Sequence, residues 1–121
     1  LRELALFTWH YYLDHPEFLS ILSTENLNHA RYLRQAPGIA EMHSNFITEL
    51  ADVLKRGEEK GVFRAGLDPV NVYMTIASLS WFHQSNRYTL STIFRRDLQA
   101  RSENDRWGDH IVATVLASVR L

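Results

Sequence analysis

The sequence predicts an all-α fold: an antiparallel bundle of five to six helices, with the last two long helices forming a dimeric four-helix bundle. Three observations predict it. Apolar residues recur at i, i+3 and i+4 through most of the 121 residues. Only three Pro and five Gly punctuate the chain, and β-branched residues never build the long alternating runs that strands require. Two segments near the C-terminus are apolar around more of their circumference than one core contact needs.

Residues Leu1 to about Asp14 place Leu1, Leu4, Ala5, Thr8 and Tyr12 on one helical line, with Phe7 and Tyr11 beside it. That helix stops at His15, because a residue before proline is pushed out of the α region. Pro16 suits the first turn of the next helix, where an N–H has no partner to lose. The second segment continues to Gln35, but its apolar line shifts from Phe18, Leu19 and Leu22 to Leu27, Ala30 and Leu33, which predicts a bend or break near Ser23 to Glu25. Ala36, Pro37 and Gly38 make a turn.

The third helix has the clearest pattern: Ile39, Met42, His43, Phe46, Ile47, Leu50, Val53 and Leu54 share one face. Gly61 stops it, with Val62 and Phe63 expected to fold back on the last turn, so the Gly57 to Gly61 spacing is a helix stop and not a membrane contact. Asp68 and Pro69 open the fourth helix as cap and first residue. It runs to about Asn86 with two apolar stripes, one through Val72, Ile76 and Leu79 and one through Val70, Met74, Ala77 and Trp81. Arg95 to Asp105 reads as a polar loop. The fifth long helix, from about Glu103 to Leu121, carries Ile111, Val112, Val115, Leu116 and Val119.

A small domain has few places to bury two such helices, so a homodimer is expected. Its candidate interface is Ala77, Trp81, Val112, Val115, Leu116 and Val119, with Ser78, Ser80, Ala113, Ala117 and Ser118 small enough for close approach.

Composition narrows the function classes. An apolar fraction of 45% and a charged fraction of 22% are those of one ordinary globular domain, residues 1–121. The absence of Cys removes disulfides and thiolate sites and is compatible with a cytoplasmic location. A net charge of -1 with scattered Arg and Lys leaves no electrostatic footprint for nucleic acid in this segment. The uncharged run from Pro69 to Asn86 holds too many polar residues to insert in a membrane. The amphipathic pattern is already running at Leu1, as expected for a portion of a longer protein. Nucleophile-elbow, zinc-protease and phosphate-loop motifs are missing, so no catalytic residue and no cofactor is expected. His10 with Asp14 and Glu25 with His29 are only pairs, fewer than the three or four donors a metal needs.

Aromatic residues are plentiful on the first four helices, and core packing accounts for most of them. A cavity among those helices would suit a small apolar or aromatic ligand, with Phe7, Tyr11, His43, Phe46, Tyr73 and Ile76 as candidate contacts.

Four stretches in this order carry a further indication: HPEFLSILSTENL (15–27), LADVLKRGEEKGVFRAGLDP (50–69), SNRYTLSTIFRRDL (85–98) and HIVATVLASV (110–119). Over its full length the chain resembles the C-terminal domain of a TetR-family transcriptional regulator. That resemblance implies dimerisation through the last two long helices, an inducer pocket within segments one to four, and operator DNA bound only through an N-terminal helix-turn-helix domain absent from this chain. Repression is the commoner mode. On this reading Ser85, Asn86 and Thr89 satisfy loose backbone groups, while Leu90, Ile93 and Phe94 clamp the dimer helices. The competing expectations are a small helical-bundle enzyme or metal-binding protein, and a dimerisation adaptor without a ligand.

Overall fold

A computed structural model describes residues 1–36 and 39–121, and the side chains of 37–44 lie outside the described set. Among the described residues the chain forms six α-helices: α1 (Arg2–Asp14), α2 (Pro16–Leu27), α3 (Ile39–Glu59), α4 (Pro69–Ser85), α5 (Arg87–Phe94) and α6 (Arg101–Val119), with a 3₁₀ turn at Leu33–Gln35. Helix α4 is the hub, packing against α1, α2, α3, α5 and α6, while α1 also lies on α6.

The core takes Leu50 and Leu54 from α3, Val72 and Ile76 from α4, and Ile111, Val112, Val115 and Val119 from α6, all on the expected stripes, while α1 contributes Ala5 from its expected line and Trp9 from outside it. Trp9 sets its tightest point. Its indole Nε1 donates to the carbonyl of Asn104 at 3.1 Å, and its ring lies over Gly108, where an added Cβ would sit 3.0 Å from the ring. Glycine inside a helix costs about 1 kcal/mol relative to Ala. Here it lets α1 come down onto α6.

Asp68 caps α4 as expected, its carboxylate accepting the amide of Val70 at 2.8 Å. Gly61 takes φ 73°, a left-handed conformation that glycine adopts without a Cβ clash. The chain then returns so that the amides of Val62 and Phe63 donate to the Gly57 carbonyl at 3.0 and 3.1 Å. Phe63 alone makes the hydrophobic contact, lying across Gly57, while Val62 stays exposed. The strap is tied to the end of α6: Arg64 N–H donates to the Val119 carbonyl at 2.8 Å, and the Arg64 guanidinium donates to the carbonyl of Ser118.

Three expectations are corrected. Helix α2 is not bent at Ser23 to Glu25; it ends at Leu27, and the break lies at His29 and Ala30, with φ 56° and 59°. The buried Glu25 carboxylate makes that break by accepting the amides of Tyr32 and Leu33 at 3.2 and 3.1 Å. After α4 ends at Ser85, Arg87–Phe94 form a helix of their own, α5, in which Leu90 turns partly inward while Ile93 and Phe94 are exposed. Leu98 takes the inward place because its amide donates to Ser91 Oγ at 3.1 Å, pulling the following loop onto the bundle. Finally, α6 starts at Arg101, so the polar loop is shorter than expected.

Replacing Gly57 by Ala places a methyl inside the Phe63 ring. Although Ala favours helix by about 1 kcal/mol, Gly57→Ala is expected to lose about 1–3 kcal/mol by overpacking in urea unfolding. In a Phe63→Ala background the same change becomes neutral or stabilising; an equal loss in both backgrounds would show that the ring does not lie there.

Candidate functional site

Helix spacing brings rings together where α1, α2, α3 and α4 meet. Phe7 and Tyr11, one turn apart on α1, stack at 6.4 Å between centroids. Tyr11 meets Phe18 of α2 edge-on at 5.3 Å, and Tyr12 meets the same ring at 6.1 Å. From the other side Phe46 of α3 sets its ring edge-on to Tyr73 of α4 at 5.5 Å. Tyr12 and Tyr73 lie close enough for their phenols to influence each other, and so join the two halves. Burial, reinforced by Tyr73, pushes Tyr12 far above the ordinary phenol range, and burial also raises Tyr73. Both phenols are therefore neutral at any physiological pH. The site offers hydroxyls in an apolar aromatic frame, which suits an uncharged or weakly polar planar guest.

The candidate contacts divide. Tyr73 and Phe46 are half-buried in this array, and Tyr11 sits at its outer edge against His15. Phe7 is 62% exposed and with Phe46, Val53 and Phe63 lines a groove of about 610 Å³ between α1 and α3. Ile76 is wholly enclosed in the core behind the array. The His43 side chain lies outside the described residues. Sequence reasoning did not select Tyr12 or Phe18. Tyr12 was assigned to the core line of α1, and its placement beside Tyr73 depends on how the helices cross.

The candidate dimer residues also divide. Val112, Val115 and Val119 are buried against α1, α3 and α4 in the same chain, so their burial needs no second copy. Leu116 packs at the margin of that core, and Ala77 and Trp81 are half-buried. The outward seam of α4 and α6 is made of smaller residues: Ser78, Ala113 and Ala117 are exposed and Thr75 and Thr114 half-buried.

Glu25, a candidate metal ligand, spends its carboxylate on backbone amides. Among the described residues no group of three or more His, Asp or Glu is placed to hold a metal ion, and no helix is long and apolar enough to cross a membrane.

Comparison with known proteins adds two findings. Residues 1–115 match the family described as tetracyclin repressor-like, C-terminal domain. The chain is 36% identical over 120 residues to the HTH-type transcriptional repressor NicS of Pseudomonas putida, a match covering 99% of this chain and 57% of that protein. It thus spans somewhat over half the length of the curated relative it matches.

The Tyr12–Tyr73 pair has a pH signature. An unfolded Tyr12 loses its proton near its ordinary value of 10.0 while the folded one keeps it, so its contribution is complete below pH 10 and is lost as pH rises beyond that. Thermal unfolding between pH 8 and 11 should show a steeper alkaline loss for the parent protein than for Tyr12→Phe. Parallel curves would remove the buried phenol from the account.

Proposed function

We propose, from the premise that this chain belongs to the tetracyclin repressor-like C-terminal domain family, that it is the effector-sensing and dimerising part of a cytoplasmic DNA-binding repressor. The observation that carries the reading is the 36% identity to an HTH-type transcriptional repressor across 99% of this chain. Family and relative both speak for a regulator and against the enzyme and metal-carrier alternatives. Operator DNA is bound through a helix-turn-helix segment joined near Leu1, and the effector is a small apolar or aromatic molecule received at the tyrosine array.

Release from DNA is a population shift. The effector favours a packing of α1 in which the two DNA-reading heads of the dimer are wrongly spaced. A tenfold loss of operator affinity needs about 1.4 kcal/mol of differential effector binding. One tyrosine hydrogen bond contributes about 1 kcal/mol, so apolar contact with Phe46, Tyr11 and Phe18 has to supply the rest. Helix α1 links the two ends, since Tyr12 lies in the array and Leu1 at the opposite terminus of the same helix.

The dimer forms through the small-residue seam of α4 and α6. Its supports are the dimeric habit of the family and the presence of Ser78, Ala113 and Ala117 on the open side of these helices.

Gel-shift titration of the whole protein on DNA upstream of its own gene should show binding that a small aromatic effector weakens at least tenfold, and Tyr73→Phe should blunt that response while leaving DNA binding intact. A protein that binds no DNA with or without compounds would overturn the reading. For the dimer, Ala117→Arg should give a folded monomer by sedimentation, whereas Val115→Arg should unfold the chain. A dimer that survives Ala117→Arg excludes this seam.

A further inference from the structure

The first turns of α1 and the C-terminal half of α3 leave a trough of about 610 Å³ between them, with the strap that follows Gly61 as its third wall. Its apolar lining includes Phe7, Phe46, Val53, Val62 and Phe63. We propose that this trough is the docking surface of the helix-turn-helix segment joined near Leu1, and that it receives one basic amphipathic helix of that segment. The inference rests on the proposed function and deepens it, by naming the surface on which the DNA-reading head sits. Among the described residues none of α4 or α6 lines the trough, which keeps it apart from the dimer seam of Ser78, Ala113 and Ala117.

Shape and place point to a helix of the same protein. Phe7 is 62% and Val62 53% exposed, so the walls stand open, whereas a small-molecule pocket encloses most of its guest. Open apolar walls of this kind suit an amphipathic helix that lays one face into a groove. On α3 the lining residues Phe46, Glu49, Val53, Arg56 and Lys60 follow helical spacing and form one continuous ridge for it to pack along. Leu1 itself lines the trough. A segment joined there starts inside its own docking surface, and a short connection gives it an effective concentration on the order of mM. A contact too weak to hold separate molecules is then enough.

The charged rim agrees in sign. Glu3, Glu49, Arg56 and Lys60 border the apolar walls, and the Arg56 guanidinium is engaged by Asp52 at 3.0 Å. The remaining rim charges are two carboxylates against one ammonium, an acidic excess. A DNA-reading segment carries the opposite excess. Exposed pairs of this kind add little affinity, but they fix the orientation in which the two surfaces meet.

Two rings of the tyrosine array are also walls of the trough. Phe46 meets Tyr73 edge-on at 5.5 Å and Phe7 stacks on Tyr11 at 6.4 Å, while both line the trough. The third wall is fixed, since the Leu121 amide donates to the Val62 carbonyl at 3.3 Å and the Arg64 amide to the Val119 carbonyl at 2.8 Å. An occupant of the array that turns Phe46 therefore reshapes the surface on which the head rests. By linkage, docking of the head changes effector affinity by the same factor. Phe7 is on this account a docking residue, and Phe46 the ring that reports what the array holds.

The test is hydroxyl-radical footprinting of the whole protein without DNA. Phe7 is read against Tyr32, which is equally exposed in this chain at 62% and lies outside the trough. Oxidation of Phe7 is expected to be roughly fivefold slower than that of Tyr32, because a packed contact excludes water. Val62→Glu, at an exposed side chain, puts an unpaired charge under the docked helix and should abolish the protection. Ile21→Glu, at an exposed position of α2, should leave it intact. Equal oxidation of Phe7 and Tyr32 in the parent protein, or protection that persists in Val62→Glu, would overturn the proposal. Protection that fades on dilution would also overturn it, by assigning the trough to a second copy of the chain. The footprint needs no DNA, so it fails separately from the gel shift that tests the regulator reading.

Discussion

The closeness of α1 to α6 governs the rest of the molecule, and it rests on the indole of Trp9 lying against a residue with no side chain. With Gly108 beneath it and the Asn104 carbonyl accepting its N–H, Trp9 fixes both the height and the rotation of α1. That rotation carries Tyr12, three residues on, to the side where Tyr73 waits. It also holds Leu4 and Leu6 against the core. A bulkier residue at position 108 would lift the whole helix and part the tyrosines with it, because interiors this dense have no slack to absorb the difference.

Helix α4 turns that packing into two chemically unlike faces. Toward α1, α2 and α3 it presents Tyr73 among neutral rings; toward α5 and α6 it presents Phe82 and His83 beside two arginines and one glutamate. Packed against five other helices, α4 divides the two faces, and a shift of a fraction of an ångström is felt on both. Such packed elements shift between discrete arrangements.

The helix count, the Pro16 and Asp68 starts, and the core lines of α3 and α4 were legible in the sequence because they depend on spacing and on local capping chemistry; on α1 the line through Ala5 was legible but Trp9 was not. The end of α2 was not. Periodicity placed a bend at Ser23 to Glu25, whereas the break forms where the Glu25 carboxylate reaches forward to two amides, a hydrogen bond that no apolar pattern encodes. Ile93 and Phe94 failed for a related reason: their spacing is helical, but Ser91 draws Leu98 inward and leaves them outside. Within the aromatic array, Phe46 and Tyr73 were legible as aromatic positions on α3 and α4, whereas Tyr12 and Phe18 join it only through the way the helices cross.

What the amino-acid order determined by itself is the identity and length of most helices and the fact that α4 and α6 are more apolar than a surface helix needs. Local propensity and periodicity act within a few residues and can be read along the chain. Only the tertiary structure decided what covers that apolar surface. Val112, Val115 and Val119 spend it inside the chain, leaving Ser78, Ala113 and Ala117 together with Met74 and Phe82 outward. Which stripe faces inward depends on the crossing of α1 over α4 and α6, and that crossing is set by contacts such as Trp9 with Asn104, 95 positions apart.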